Sequence, residues 1–308
     1  MKKQLRGSLV LLVTAIIWGV AFVGQNEGMK YLGPFSFNAI RMIFAAFAMI
    51  PTAFISLKIS GSYDAVRGKN LKRTVIGGIL CGTFLFCAST AQQLGIKITE
   101  SSGKAGFITS LYIIIVPLIG LLLRRRPHTV LWPCVAVATA GFWLICGGTD
   151  SHVGTGELLL LACALFFSLQ ITAIDLLLRP GIDPVCMSTV QFITCAGFMT
   201  VAMFITEKPT SEGIVAALPW LLYVGLLSGA LGYTLQMIGQ KDCPPTVASL
   251  IMSLESVVAA LSGWAISGEK LGRSELIGCG LVFTAVVVSQ IPFGSLKKKN
   301  APGQTGGQ

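Results

Sequence analysis

Charge and histidine are both scarce in this chain. Charged residues make up 12% of its 308 residues and hydrophobic ones 53%, where a soluble globular protein carries about 25% charge. So little charge cannot cover a water-soluble core of this size, which argues against a soluble all-helical domain. The two histidines, His128 and His152, leave little for general acid–base chemistry of the common kind. No clustered ligands accompany them, so neither a metal site nor a set of catalytic residues is expected. None of the nine cysteines forms a CxxC pair, and all but Cys243 lie in apolar stretches, where filling apolar space is their usual role. No GxxxxGK[ST] sequence occurs, so this chain has no P-loop with which to hydrolyse ATP, and no cofactor is expected.

What the chain has instead is apolar length. A helix needs about 20 residues to cross a hydrocarbon core of roughly 30 Å. Ten apolar runs predict spans at about 7–24, 35–57, 75–93, 103–123, 130–147, 158–178, 185–205, 215–239, 246–267 and 276–291. The first follows Lys2, Lys3 and Arg6, as a signal peptide does in outline. It is longer than a signal core and no clean cleavage site follows it, so it reads as an uncleaved span. The fold class predicted is an all-α polytopic membrane protein with ten transmembrane helices.

Ten spans put both ends on one side. Basic residues outnumber acidic ones by 23 to 13. They crowd the segments on the side of the termini: Lys2, Lys3 and Arg6; Lys58, Arg67, Lys69, Lys72 and Arg73; Arg124 to Arg126; Arg179; Lys241; and Lys297 to Lys299. That pattern is the one expected of cytoplasmic loops, and it suits membrane topology better than nucleic-acid binding. Both termini are therefore expected in the cytoplasm, with the protein in the bacterial inner membrane. The basic tail, 294–308, is rich in Gly and Gln and is expected to be disordered.

The ninth run holds the residue that matters most. Between Thr246 and Ser267 there is no Lys, Arg, Asp, His or Pro, and the single charge is Glu255. A carboxylate at that depth is costly unless it is paired, protonated or facing a polar cavity. Glu255 is a candidate to carry a proton, or else a brace between helices through hydrogen bonds. Ser249, Ser253, Ser256, Ala259, Ala260 and Gly263 accompany it, and small residues let another helix come close.

Other polar residues fall within the runs. Arg41, early in the second, either snorkels to the interface or points inward to bind an anionic group. Trp18 either packs or lines a cavity. Tyr112 can present a hydroxyl at depth, and Pro117, in the same run, is expected to kink its helix. Gln93 and Gln236 are weaker candidates, together with Gln191 near the start of the seventh run. Gly78 with Gly82, and Gly225 with Gly229, stand at GxxxG spacing and are expected to pack helices closely.

The two halves echo each other. RGSLVLLVTAIIWGV from Arg6 resembles TGELLLLACALFFSL from Thr155, and Pro34 matches Pro184. KAGFITSLYIIIVPLIGLLL aligns with VASLIMSLESVVAALSGWAI, which sets Tyr112 opposite Glu255 and Arg41 roughly opposite Gln191. Five spans per half is odd, so the halves, 1–148 and 154–293, would lie in the membrane upside down to each other. Many secondary transporters alternate access through such inverted repeats. Tyr112 is then the first candidate partner of Glu255.

These features resemble the drug/metabolite transporter superfamily, specifically the EamA-like ten-helix permeases, over about 7–292. The resemblance rests on Trp18-Gly19, on Pro34 followed by Arg41, on LESVVAALSGWAISGEKLG from Leu254, and on the repeat. Two departures stand out. Members often carry proline after the ninth-helix acid, where this chain has Ser256, which removes the family's reason for a kink there. The first half often carries an acid-containing turn like Gly268-Glu269-Lys270, where this chain has Arg125-Arg126-Pro127. The resemblance implies transport of a small organic solute, in classes that include amino acids, amines, nucleotide precursors and sugars. Its expected partners are that solute, membrane lipid and, if Glu255 titrates, protons. An ion channel or a non-transporting binding or scaffold protein are the alternatives. The sequence sets neither substrate nor oligomeric state.

Overall fold

The structure is a computed structural model describing residues 2–61, 63–125, 129, 131–145, 154–270 and 272–289. Arg126, Pro127, His128, His152 and the tail 294–308, on which expectations were placed, lie outside the described residues.

The described chain is all helix apart from its connections. In order it runs α1 (Lys2–Gly28), α2 (Pro34–Ser60), a short 3-10 turn (Tyr63–Val66), α3 (Gly68–Thr99), α4 (Ser102–Thr109), α5 (Tyr112–Leu122) and α6 (Leu131–Ile145). The second half runs α7 (Thr155–Leu177), α8 (Pro184–Thr206), α9 (Ser211–Leu222), a π-helical segment (Tyr223–Gly232), α10 (Tyr233–Asp242), α11 (Pro245–Met252), α12 (Leu254–Ser267) and α13 (Arg273–Ser289). Joined end to end, α4–α5, α9–α10 and α11–α12 each make one span, which gives ten spans. Eight are long and apolar enough to cross a membrane, while α6 and α13 are shorter. These two short helices pack on each other, with Gly141 against the Gly278 carbonyl.

Apolar side chains cover the outside. Phe47, Phe54, Ile59, Leu122, Phe204 and Ile205 are all exposed, as lipid-facing residues must be when backbone polar groups are satisfied within helices. Polar side chains go inside, among them Gln25, Arg41, Gln92, Gln93, Gln170, Gln191, Gln236 and Glu255. The eight described cysteines are free thiols, seven of them buried.

The GxxxG glycines sit where helices touch. A Cβ on Gly78 would lie 2.4 Å from the Val190 Cβ, and one on Gly82 would lie 2.6 Å from the Gln191 carbonyl, both on α8. On the π-helical segment, a Cβ on Gly225 would meet the Arg41 carbonyl at 2.8 Å, and one on Gly229 the Ala45 Cβ at 3.0 Å, both on α2. The small residues around Glu255 receive α4: Gly106 stands against Ala259 and Ser256, and Gly103 against Ala260.

Two spans break near their middles. The fourth is interrupted at Ser110 and Leu111, not at Pro117, which lies within α5. The ninth is not continuous either. It breaks at Ser253 without any proline. There Ser253 Oγ donates to the Leu250 carbonyl at 2.7 Å, and Ser256 Oγ donates to the Ser253 carbonyl at 2.7 Å. Serine hydroxyls that bond the preceding turn compete with the helix ladder. The breaks fall two residues before Tyr112 and Glu255 respectively.

Candidate functional site

Acidic side chains fix the helices that carry the site. Glu207, at the end of α8, caps α2 by accepting from Ser36 N at 2.8 Å, Ser36 Oγ at 2.6 Å and Phe35 N at 3.2 Å. A carboxylate suits a helix N-terminus, where unpaired N–H groups and the dipole both favour negative charge. Arg41 follows about two turns into α2. Glu269, after α12, does the same for α4, accepting from Ser102 N at 3.2 Å. The break beside Tyr112 comes at the far end of that short helix.

Tyr112 Oη donates to Glu255 Oε1 at 3.0 Å, with both residues buried. The two residues that sequence alignment sets opposite each other thus meet directly. Gly19 brings α1 onto α12 at this point, since a Cβ there would lie 2.7 Å from the Glu255 carbonyl. Its neighbour Trp18 turns to the interior. Trp18 Nε1 donates to the Ser228 carbonyl at 3.1 Å, and its ring lies 4.6 Å from that of Tyr233. The accepting carbonyl belongs to the π-helical segment, a wide turn often found at functional sites.

Arg41 is buried and does not snorkel. Its Nε donates to Asn38 Oδ1 at 2.6 Å, and Asn38 is held in turn by donating to the Ser89 carbonyl at 2.9 Å. Among the described residues three ion pairs form, Lys30–Glu27, Lys104–Glu157 and Arg125–Asp175. Neither Arg41 nor Glu255 belongs to one.

Trp18, Arg41, Tyr112, Gln236 and Glu255 line one cavity, together with Gln25, Gln92, Tyr233, Ser228 and the apolar Ala21, Phe22, Phe167 and Ile171. Its volume is about 30 Å³, enough for one or two water molecules and too small for an organic solute without movement. Larger vestibules lie toward each end of the bundle. One, of about 400 Å³, is lined by Gly120, Arg125, Asp175 and Pro245, at the end where α1 begins. The other, of about 410 Å³, is lined by Glu27, Lys30, Lys97 and Glu269, at the end where α1 stops.

Two expected site residues stand outside the cavity. Gln191 is one hydrogen bond removed, because Gln170 Nε2 donates to its Oε1 at 3.2 Å and Gln170 also exchanges amide hydrogen bonds with Gln236. Gln93 is fully buried elsewhere, and neither of its amide atoms has a partner among the described residues. Its neighbour Gln92 reaches the cavity instead and donates to Thr109 Oγ1 at 3.4 Å. Successive helix residues point about 100° apart, so the QQ pair alone does not say which one faces inward. Gln25 and Tyr233 were also missed. Gln25 falls just past the first apolar run, which hides it, while Tyr233 has an indirect signal in the polar company of Gln236.

A ten-span helical protein with an apolar exterior and a polar internal cavity belongs to the class of polytopic membrane proteins. Comparison with known proteins narrows this. The model of the EamA-like transporter family matches residues 5–147 and 154–290, and the chain belongs to that family. An uncharacterized transporter of Archaeoglobus fulgidus is 28% identical over 295 residues, covering 93% of this chain and 86% of its own. The uncharacterized transporter YwfM of Bacillus subtilis is 25% identical, covering 91% and 92%. The threonine/homoserine exporter RhtA of Escherichia coli is 28% identical over 176 residues, covering 56% of this chain and 58% of its own. A solved crystal structure has the same fold, with a TM-score of 0.69 at 15% identity over 96% of this chain and 99% of that one. Family membership and the polytopic fold support a secondary transporter of small solutes in a membrane, and argue against an enzyme.

Proposed function

We propose that the protein carries a small organic metabolite across the bacterial inner membrane by alternating access, with the central cavity as the substrate site. One observation carries the reading: a buried polar cavity, lined from α1, α2, α3, α5, α7, the π-helical segment, α10 and α12, lies between two vestibules at opposite ends of the bundle. Both halves of the chain contribute to its wall, as an inverted repeat of 1–148 and 154–293 would require. The matched breaks beside Tyr112 and Glu255 support the same symmetry. Both termini face the cytoplasm in this reading. The substrate belongs among amino acids, amines, nucleotide precursors and similar solutes. The printed name of one relative, a threonine/homoserine exporter, falls within that range.

Glu255 is the proposed coupling residue. It is protonated in one state and paired or substrate-bound in another, because a charged carboxylate with no partner is too costly at this depth. Tyr112 is the donor that holds it in the state seen here. Counterflow in liposomes tests transport itself. Vesicles loaded with unlabelled solute should transiently concentrate the labelled form. A voltage-driven ion current without counterflow would instead identify a channel, and no flux of any solute a scaffold.

A further inference from the structure

The first turns of α3 carry cations on the face where its deeper turns carry lipid-facing side chains. Helix residues three, four and seven apart share one face. Lys69, Lys72 and Arg73 therefore stand in line with Ile76, Ile79 and Leu80, and all six are exposed. The opposite face is packed. A Cβ on Gly77 would meet Met187 of α8, and one on Gly78 would meet Val190. A Cβ on Gly181, in the connection from α7 to α8, would lie 2.9 Å from the Asn70 amide nitrogen. With α7 and α8 on one side of the helix, the stripe looks away from the bundle.

Depth along the helix decides what the cations can meet. At 1.5 Å per residue, Arg73, Lys72 and Lys69 stand about 4, 6 and 10 Å beyond Ile76. The headgroup layer is about 5–8 Å deep on each side of the hydrocarbon. The three cations so fall at the level of lipid phosphates, directly over the acyl chains that cover Ile76 and Leu80. None of the three ion pairs among the described residues uses them. Asp64, the acid of the preceding 3-10 turn, stands outside those pairs as well. A partner in the water beyond the membrane would engage cations separated from the apolar stripe, whereas these continue it.

We infer that this face of α3 binds an anionic phospholipid, its phosphate held by Lys69, Lys72 and Arg73 and its acyl chains lying along Ile76, Ile79 and Leu80. The leaflet is the one at the end where α1 begins, the inner one in the topology proposed above. Charge complementarity selects the headgroup, since a basic residue at the surface favours an anionic lipid by about fivefold in binding. Arg73 adds the planar fork that suits a phosphate. Lys58 ends α2 at the same side of the bundle in a similar way, one turn past the exposed Phe54.

The test places a probe beside the stripe. Ile76→Cys, in a full-length background without other cysteines, is labelled with bimane and reconstituted into bilayers. Brominated phosphatidylglycerol or brominated phosphatidylcholine then competes with unbrominated phosphatidylcholine to quench it. The phosphatidylglycerol should be preferred at least about fivefold. Combined Lys69→Gln, Lys72→Gln and Arg73→Gln should bring the preference to within about twofold of parity. Arg67→Gln, Arg179→Gln and Lys241→Gln together remove the same charge at the same end and should leave it in place. Raising salt from 0.1 to 1 M cuts the screening length from about 10 to 3 Å and should weaken the preference. Absence of preference on the unaltered stripe, or indifference to salt, overturns the assignment even if a variant fails to fold. Loss of preference in the second triple variant as large as in the first would trace it to net charge and overturn the site. Relief of quenching by millimolar glycerol 3-phosphate would identify a site for a soluble phosphate ester and sink the lipid.

Discussion

Tyr112 and Glu255 form the contact on which the site turns, and each can be tested apart from the other. Tyr112→Phe removes a buried hydrogen bond between two membrane helices and should lower stability by about 0.5–1.5 kcal/mol, measured by denaturation in detergent. A value near zero would mean that another donor replaces Tyr112. Glu255→Gln keeps shape and most hydrogen bonding but cannot titrate. It should lose pH-driven accumulation and retain solute exchange, measured side by side in liposomes. Unchanged pH-driven uptake would remove Glu255 as the coupling residue. Arg41→Lys should reduce transport at least about tenfold, because a lysine cannot keep the bond to Asn38 and also present a planar fork. Normal transport by that variant would dismiss the binding role. The pairing of Tyr112 with Glu255 was legible in sequence because aligning the halves sets one against the other. Arg41 was not decided by sequence, since snorkelling and inward burial need the same residue at the same position. Packing decided it, through Asn38 and Ser89.

Helices differ from the apolar runs that announce them, and for a physical reason. Apolar length marks the hydrocarbon layer, but backbone hydrogen bonding continues the helix into the interface. So α3 spans Gly68–Thr99 where the run covers only 75–93, and α1 reaches Gly28 beyond a run that stops at 24. The breaks were harder to see. Proline advertises a kink and Pro117 drew the expectation, yet the interruptions come at Ser110–Leu111, where tight backbone turns replace the ladder, and at Ser253, where serine hydroxyls bond the preceding turn. The glycines were easier, because GxxxG spacing states a closeness that only packing uses. Gly78→Leu and Gly229→Leu should fail to give a monodisperse, folded protein, since even a Cβ is crowded against Val190 or Ala45. Gly197→Leu is the control. Gly197 lies exposed on α8 with nothing within 4 Å of a Cβ, and the variant should fold and transport normally. Normal folding of the first two would place those glycines against lipid.

At the scale of the molecule, alternating access of the proposed kind needs two halves of opposite orientation around one cavity. Ten spans, the polar interior and the apolar surface could all be read from composition and run length. The shape of the cavity could not, because it is assembled from helices far apart in sequence that meet only through packing. In a background without cysteine, Gly61→Cys and Lys299→Cys should label from the cytoplasm and His152→Cys from outside. Labelling of Gly61→Cys and His152→Cys from the same side would defeat the inverted arrangement. The most direct measurement concerns Ala21, a buried residue of the cavity wall. Ala21→Cys, in the same background, is exposed to a membrane-impermeant thiol reagent in right-side-out and in inside-out vesicles. Alternating access predicts modification from each side, with a saturating substrate changing the two rates in opposite directions. Modification from one side only, or rates from both sides that substrate leaves untouched, would contradict it.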